Sequence, residues 1–291
     1  MLNAVYVAVE FGYGVLADST ALMADAGHNL SDVLGLLLAG SAVLLARQRP
    51  SAQFTYGLRS TSILAAMANA MLLLVACGAI AWEAFQRFSQ PPQVASATVM
   101  AVAGLGLLIN GFSAWLFMRG SQSDINVRGA YLHMAADAAV SLGVVVAGGV
   151  MLLTGWYWID PAISLVIVVV ILVGTWGLLR ESVRLALNAV PAGVDLAAVA
   201  RHLRQWPGVS EIHDLHIWGM STTECALTVH LVMPAGYPGD AAVDAITQVL
   251  RERFGVHHST LQIEQGTTHH ACSLHQPVGN VVPAALTEHA H

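Results

Sequence analysis

Charged residues are scarce in this chain of 291 residues. Asp, Glu, Lys and Arg together make up 10% of it, whereas 56% is hydrophobic and the mean hydropathy is +0.63. A soluble globular domain carries about 25% charged residues. A charged fraction this small cannot cover the surface of a water-soluble protein of this size. The sequence therefore predicts an integral membrane protein surrounded by the lipid bilayer.

Basic residues and cysteines are also few. Lysine is absent, and 12 arginines stand against 18 acidic residues, for a net charge of -6. Proteins that bind nucleic acid need clustered basic residues to neutralise phosphates, and no such cluster occurs, so nucleic acid is excluded as the main partner. The three cysteines, Cys77, Cys225 and Cys272, form neither an even-numbered disulfide framework nor a C-x-x-C metal knuckle.

Long apolar runs are present instead. Crossing the hydrocarbon core takes about 20 mostly apolar residues. Six runs separated by polar residues predict six transmembrane helices, over residues 2–16, 21–45, 61–85, 95–118, 127–153 and 162–179. The first run rises only about 22 Å at 1.5 Å per residue, and we expect the start of the chain to be truncated.

Arginines flank these runs unevenly. One side has Arg47, Arg49, Arg59, Arg119, Arg128, Arg180 and Arg184. The opposite side has only Arg87. Because loops rich in arginine stay in the cytoplasm, both termini are predicted to be cytoplasmic.

The composition changes after about residue 188, beyond which 11 of the 13 histidines lie. Helical periodicity over 196–205 and 241–254 and strand-like alternation over 209–218, 224–233 and 260–265 predict an α-β-β-α-β order. This order suits a small α+β domain with one helical face. We therefore expect a membrane domain over 1–187, a cytoplasmic domain over 188–266 and a disordered, His-containing tail over 267–291.

Two membrane spans carry the same pair of ionisable residues. His28 and Asp32 in span two, and His133 and Asp137 in span five, are each four residues apart, which places both side chains on one helix face. Ionisable groups in the bilayer are costly and mark functional sites. Two imidazoles and two carboxylates without thiolate suit Zn(II). The alternative is that each pair is a hydrogen bond between packed helices, but the repeated spacing favours a metal site.

Other polar residues in the spans have two interpretations each. Asp25 lies seven residues before Asp32, near the same helix face. It would either orient the His28 ring from outside the ligand set or cap the outer end of span two. Glu10 in span one would either line a pathway or form an interhelical hydrogen bond.

These segments resemble the cation diffusion facilitator family of zinc transporters, of the bacterial cobalt-zinc-cadmium resistance type. The stretch Leu22–Asp32 resembles the family's span-two signature. Further matching stretches are Tyr56–Arg59, Ile63–Ala66, Asn126–Ala130, His213–Trp218, Leu227–His230 and Thr260–Glu264. The resemblance covers essentially the whole chain before the tail.

The resemblance implies six spans, a cytoplasmic ferredoxin-like domain, a homodimer and proton-coupled efflux of Zn(II) from the cytoplasm. It carries the transport ligands over to His28, Asp32, His133 and Asp137. Members with two His and two Asp there usually prefer zinc, so Zn(II) is the expected cargo of this chain, with Cd(II) or Co(II) as further candidates. A long His-rich loop between spans four and five, frequent in eukaryotic members, is missing, so a bacterial inner-membrane exporter is the better match.

The ligand types also indicate a mechanism. Imidazole and carboxylate bind either metal or protons, so the two compete and antiport follows. Export of Fe(II) or Mn(II) is an alternative. An integral-membrane metal enzyme is a weaker one, because it would need an open coordination position and additional histidine clusters beside the spans.

The cytoplasmic domain has a second candidate metal site. If the hairpin pairs residues whose numbers sum to 443, His213 lies opposite His230. The family pattern adds Glu264 nearby. His216 would fall on the other face of its strand with Trp218, in a structural role. The alternative is that these are ordinary surface histidines.

Overall fold

The computed structural model describes residues 2–46, 48–118 and 125–267. Each of the six predicted apolar segments forms a helix. These are α1 (Leu2–Leu16), α2 (Thr20–Ala46), α3 (Thr61–Arg87), α4 (Ser96–Met118), α5 (Ile125–Thr154) and α6 (Ile159–Ala186). The sixth extends seven residues past its predicted end, because the polar residues after 179 continue the helix beyond the apolar run. The predicted tail lies outside the described residues from 268 onward.

Four helices in the described part of the chain are long and apolar enough to cross a membrane: α3, α4, α6 and, from Tyr131 to Thr154, α5. The α2 helix has 27 residues, and it rises about 40 Å at 1.5 Å per residue. The apolar part of α1, Val5–Leu16, is shorter.

The first turn of α2 is held by an acidic residue of α6. Both oxygens of the fully buried Asp160 accept hydrogen bonds there, from the Thr20 amide at 2.7 Å, the Thr20 hydroxyl at 2.8 Å and the Ser19 hydroxyl. These bonds satisfy donors that a helix N-terminus leaves unpaired. Asp25 lies in the second turn of α2, so the alternative that it caps this helix is wrong.

Small residues let the helices approach closely. The core of this part includes Leu22, Val99, Val144 and Met151, all at most 1% exposed. Gly106 of α4 shows how tight the packing is, because a Cβ atom there would lie 2.1 Å from the Tyr6 hydroxyl of α1. Only glycine therefore allows α1 and α4 to approach this closely.

The C-terminal part contains α7 (Leu196–Arg204), β1 (Glu211–Gly219), β2 (Cys225–Val232), α8 (Asp240–Phe254) and β3 (Val256–Glu264). The sheet order is β1-β2-β3, with β1 and β2 antiparallel and β2 and β3 parallel. Leu203 of α7 and Leu250 of α8 pack with Leu227 and Val229 in one buried core. The predicted α-β-β-α-β order is confirmed, although β3 begins four residues before its predicted start, where polar residues hide the strand pattern.

A β-bulge in β1 changes the face of the strand on which His216 lies. His213 pairs with His230, as predicted, but the next paired residue is His216, which lies opposite Thr228. Two residues of β1 thus oppose one of β2, and Asp214 adopts φ 52°. Because the extra residue reverses the alternation, His216 lies on the same face as His213. The expectation that it lies on the other face is wrong.

The chain forms two compact units: residues 1–41 with 65–180, and residues 42–64 with the chain from 181 on. Inside the second unit, the segment before and at the start of α3 contacts the turn between β1 and β2. Arg59 forms an ion pair with Glu224, and the Thr222 amide donates to the Ser62 hydroxyl at 3.1 Å. These contacts fix that segment on the β1–β2 turn.

Candidate metal centre

The two His-Asp pairs of α2 and α5 meet, and their two shortest contacts run between the helices. His28 Nε2 of α2 lies 3.2 Å from Asp137 Oδ1 of α5. His133 Nε2 of α5 lies 3.3 Å from Asp32 Oδ2 of α2 and 3.6 Å from Asp137 Oδ2. All four predicted ligands are therefore brought together at one place.

Three of the four side chains have ligand atoms close enough together to share one ion. Ligands bound at about 2.0–2.1 Å in a tetrahedron lie roughly 3.3 Å from one another. Ligand atoms of His28, Asp32 and Asp137 all lie within 4.8 Å of one another, and the His28 and His133 ring centroids are 6.3 Å apart. Two separate packing contacts would each need one His and one Asp. Here Asp137 reaches both imidazoles, as a shared site requires.

The exposure of the four side chains differs. The Asp137 side chain is 3% exposed and that of His28 is 23% exposed. Those of Asp32 and His133 are 34% and 45% exposed. The site thus has a buried side formed by Asp137 and a more exposed side formed by His133 and Asp32.

Asp25 does not hold the His28 ring, contrary to one of the two expectations for it. Asp25 Oδ2 accepts a hydrogen bond from the Ser141 hydroxyl of α5 at 3.1 Å. Among the described residues, neither Asp25 Oδ1 nor His28 Nδ1 has a hydrogen-bond partner. The spacing of three residues on α2 places the two side chains on neighbouring positions of the helix surface, but Ser141 of the adjacent helix draws the carboxylate to itself.

Glu10 belongs to a buried network that the sequence analysis did not assemble. Its Oε1 accepts from the Tyr6 hydroxyl at 2.7 Å, and its Oε2 accepts from Asn29 Nδ2 at 3.1 Å. Glu10 is also within hydrogen-bond reach of Asp25. In the sequence, Glu10 stands out only as an acidic residue in an apolar run. Its partners lie on α2 as well as on α1, so residue spacing along the chain cannot identify them.

The cytoplasmic cluster takes one side chain from each strand. His213 Nε2 of β1 lies 3.0 Å from Glu264 Oε2 of β3, and His230 Nδ1 of β2 lies 2.9 Å from Glu264 Oε1. Ligand atoms of the three residues lie within 4.8 Å of one another. The structure therefore brings together all three residues predicted for this site.

The bulge adds two more ligand-type side chains beside this cluster. Asp214 Oδ2 lies 3.5 Å from His230 Nε2, and Asp214 Oδ1 lies 3.1 Å from His216 Nε2. The imidazole of His230 thus stands between two carboxylates, Glu264 on one side and Asp214 on the other. The sequence does not predict this extension, because a regular strand would place Asp214 on the face opposite His213.

The Glu264 carboxylate has a lowered pKa, which favours the ionised form that binds a cation. Burial alone would raise its pKa, but hydrogen bonds from Gln262 and His213, together with the nearby histidines, outweigh burial and lower the pKa below its ordinary value. The Gln262 bond is 2.7 Å long. Glu264 is therefore ionised at neutral pH, as a metal ligand must be.

A helical domain with apolar helices of membrane-spanning length, carrying an imidazole-carboxylate site in its interior, defines a membrane transporter of metal cations. The family model described as the cation efflux transmembrane domain matches residues 1–185, and the model described as the cation efflux protein, cytoplasmic domain, matches residues 191–266. The chain therefore belongs to the cation efflux, or cation diffusion facilitator, family.

Several curated proteins are similar over most of their length. The cation efflux system protein CzcD of Alcaligenes sp. (strain CT14) is 37% identical over 264 residues, covering 90% of this chain and 84% of that protein. The zinc transporter ZitB of Escherichia coli (strain K12) is 36% identical over 270 residues, covering 92% and 86%. The cadmium, cobalt and zinc/H(+)-K(+) antiporter of Bacillus subtilis (strain 168) is 32% identical over 269 residues, covering 91% and 86%.

Proposed function

We propose that this protein exports Zn(II) from the cytoplasm across a bacterial inner membrane in exchange for protons. The observation that carries the proposal is the crossed pairing of His28 with Asp137 and of His133 with Asp32. It joins two imidazoles and two carboxylates at one place between α2 and α5, which is a ligand set that Zn(II) favours. The names of the relatives from Escherichia coli and Bacillus subtilis, which both include zinc, support the same cargo.

Exchange follows from competition at the same atoms. Zn(II) needs neutral imidazoles and ionised carboxylates, and protons bind those atoms when the metal leaves. When the site faces the cytoplasm, Zn(II) displaces protons. When it faces outward, protons displace Zn(II). The hydrogen-bonding distances between His28 and Asp137, and between His133 and Asp32, let each proton be shared within a pair after the metal has left.

The choice of metal follows from the donors. Without thiolate, Cu(I) is disfavoured, and with two imidazoles the site is softer than the all-oxygen sites that suit Mn(II). Cd(II) and Co(II) are further candidate cargo, in keeping with the name of the relative from Bacillus subtilis. Export of Fe(II) or Mn(II) is the alternative to test alongside.

We propose the following membrane topology and domain architecture together with this function. Helices α1 to α6 form six spans with both chain termini in the cytoplasm, and the domain over 188–266 is ferredoxin-like and joins two chains in a homodimer. His213, His230 and Glu264 bind a further Zn(II) there, with Asp214 and His216 beside it. This second site senses cytoplasmic metal rather than carrying it.

The test is metal uptake into inside-out membrane vesicles under an imposed pH gradient, with Zn, Cd, Co, Fe and Mn compared. Uptake of Zn(II) that needs the gradient and that is lost in Asp137→Asn supports the proposal. Asp244→Asn is the matched control, because Asp244 is an exposed acidic residue of α8. Uptake that ignores the gradient would refute proton exchange, and undiminished uptake by Asp137→Asn would refute the site.

A further inference from the structure

Two acidic residues outside the proposed metal ligands lie in the interior of the helical part. Glu10 of α1 and Asp25 of α2 are both 0% exposed, and their carboxyl groups are within hydrogen-bond reach of each other. Neither is a metal ligand in the proposed site. The transport mechanism described above uses neither group.

The hydrogen bonds of this pair leave one oxygen without a donor. Both oxygens of Glu10 accept bonds, one from Tyr6 and one from Asn29, and Asp25 Oδ2 accepts from Ser141. Asp25 Oδ1 is buried and has no partner among the described residues.

The partners of the pair carry no compensating charge. Tyr6, Asn29 and Ser141 are neutral donors, and the other titratable groups that interact with Asp25 are His28 on α2 and Asp137 on α5. Two adjacent buried carboxylates whose hydrogen-bond donors among the described residues are all neutral resist the ionisation of both, because burial and mutual repulsion each oppose the second negative charge. In such a pair one proton is shared and titrates with the pair as a whole.

We propose that Glu10 and Asp25 share one proton and form a proton-binding site separate from the metal ligands, which loses its proton when a divalent cation binds to the tetrad. This proton sits between the two carboxyl groups and supplies the donor that Asp25 Oδ1 lacks. The inference rests on the proposed function, because it assigns one of the exchanged protons to this pair.

The position of the pair explains how metal would expel the proton. Asp25 lies one helical turn before His28 on α2, and its carboxylate interacts electrostatically with His28 and Asp137 of the tetrad. A bound divalent cation stabilises negative charge nearby and therefore favours the doubly ionised pair. The proton then leaves to water, and it returns when the metal is released. Glu10 and Asp25 act on the metal through charge alone, without touching it.

The experiment counts protons released per Zn(II) bound by the full-length protein, using a pH-indicator dye in weakly buffered solution. Glu10→Gln keeps the acceptor for Tyr6 and a polar group for Asn29 but removes the titratable group. It should bind the same amount of Zn(II) and release about one proton fewer than the wild type. Asp25→Asn should lose the same proton, which provides a second route if one variant does not fold.

The double variant tests whether Glu10 and Asp25 share one proton. If one proton is held jointly, Glu10→Gln with Asp25→Asn releases one proton fewer than the wild type, the same as each single variant. A loss of two protons would overturn a shared site. Ser141→Ala and Tyr6→Phe are the matched controls, because each removes one hydrogen bond but keeps both carboxyl groups, and each should release the wild-type number. Protons from the cytoplasmic metal site cancel in these comparisons, since every variant retains it.

The outcomes separate this inference from the proposed function. If the wild type releases protons on binding Zn(II), Asp137→Asn loses the binding, and Glu10→Gln still releases the full number, then the proton pair is refuted while zinc-proton exchange stands. If the wild type releases no protons on binding Zn(II), both are refuted.

Discussion

His133 Nε2 on α5 lies 3.3 Å from Asp32 Oδ2 on α2, and this contact is the counterpart of the 3.2 Å contact between His28 on α2 and Asp137 on α5. Each helix supplies the imidazole for the other helix's carboxylate. Although His133 also lies 3.6 Å from Asp137 on its own helix, a cation bound by all four side chains would depend on α2 and α5 at once. The first two predictions rest on this dependence.

Removing one carboxylate should abolish transport. Asp32→Ala and Asp137→Ala each delete a charged ligand from a four-ligand site, and each leaves one imidazole without its partner. We expect no Zn(II) transport above background, with insertion and dimerisation retained. The measurement is zinc uptake by purified protein in proteoliposomes, with size-exclusion chromatography to check assembly. Near-normal transport by either variant would count decisively against the tetrad, and Asp244→Ala on the exposed surface of α8 should transport normally.

Exchanging an imidazole for a carboxylate should alter the metal preference. In His28→Asp an oxygen donor replaces a nitrogen donor beside Asp137, which changes both ligand type and local geometry. We expect discrimination between zinc and cadmium to loosen. The ratio of zinc to cadmium uptake checks this. A ratio equal to that of the wild type would remove His28 from any account of selectivity.

Zinc should stabilise the cytoplasmic domain. The fragment from Pro191 to Gly266 contains the buried core around Leu227 and the cluster of His213, His230 and Glu264. A ligand that binds only the folded state at 100 times its Kd adds about 2.7 kcal/mol of stability. The melting temperature should therefore rise with added Zn(II).

The matched variant for this fragment replaces His213 and His230 together by Ala. It should fold, since both side chains lie on the sheet face opposite the core, but its melting temperature should not respond to Zn(II). In the full-length protein the double variant should still transport, with altered dependence on zinc concentration. A wild-type fragment that melts at the same temperature with and without zinc would make these histidines ordinary surface residues.

Glu264 should make the metal-free fragment sensitive to acid. Its pKa is lowered in the folded state, so its contribution to stability is present above the ordinary value of 4.5 and is lost as the pH falls through the lowered folded value. We expect the free energy of unfolding to fall as the pH drops below about 4.5, and to fall less in Glu264→Gln. Urea unfolding at a series of pH values measures this. Equal acid sensitivity of the two proteins would contradict the assignment.

The close approach of α1 and α4 should be sensitive to a single methyl group. Gly106→Ala places a Cβ atom 2.1 Å from the Tyr6 hydroxyl, so Tyr6 must move and its bond to Glu10 must break. Overpacking of this kind costs about 1–3 kcal/mol. Gly104→Ala is the control on the same helix, because its Cβ would meet nothing within 4 Å. Thermal unfolding in detergent should show a lower melting temperature for Gly106→Ala than for Gly104→Ala. Equal melting temperatures would show that α1 can move to accommodate the methyl group without loss of stability.

Much of the fold could be predicted because the relevant signals are local. Apolar run length gave the helices, and the spacing of His28 to Asp32 and of His133 to Asp137 placed each pair on one helix face. Their meeting in a crossed arrangement depends on how α2 packs against α5, which spacing does not contain. The pairing of His213 with His230 was predictable from strand alternation and the short turn.

The rest depended on tertiary contacts. Asp214 carries the positive φ of the bulge, and a non-glycine residue gives no warning of that conformation, so the face of His216 was wrong. The Asp25 carboxylate can accept hydrogen bonds from several directions, and the position of Ser141 on α5 determines which bond forms. Glu10 signalled its importance by being acidic in an apolar run, but its partner Asp25 could not be identified before the helices were packed.

The bulge in β1 adds a carboxylate to the histidine face without disturbing the rest of the strand. Deleting one codon at position 214 would restore a regular ladder with His213 still opposite His230 and His216 still opposite Thr228, so Ile217 would stay in the core. Deleting the codon at position 215 instead would set Asp214 opposite Val229, on the face that packs against the helices. Only the extra residue therefore lets Asp214 stand beside both His216 and His230.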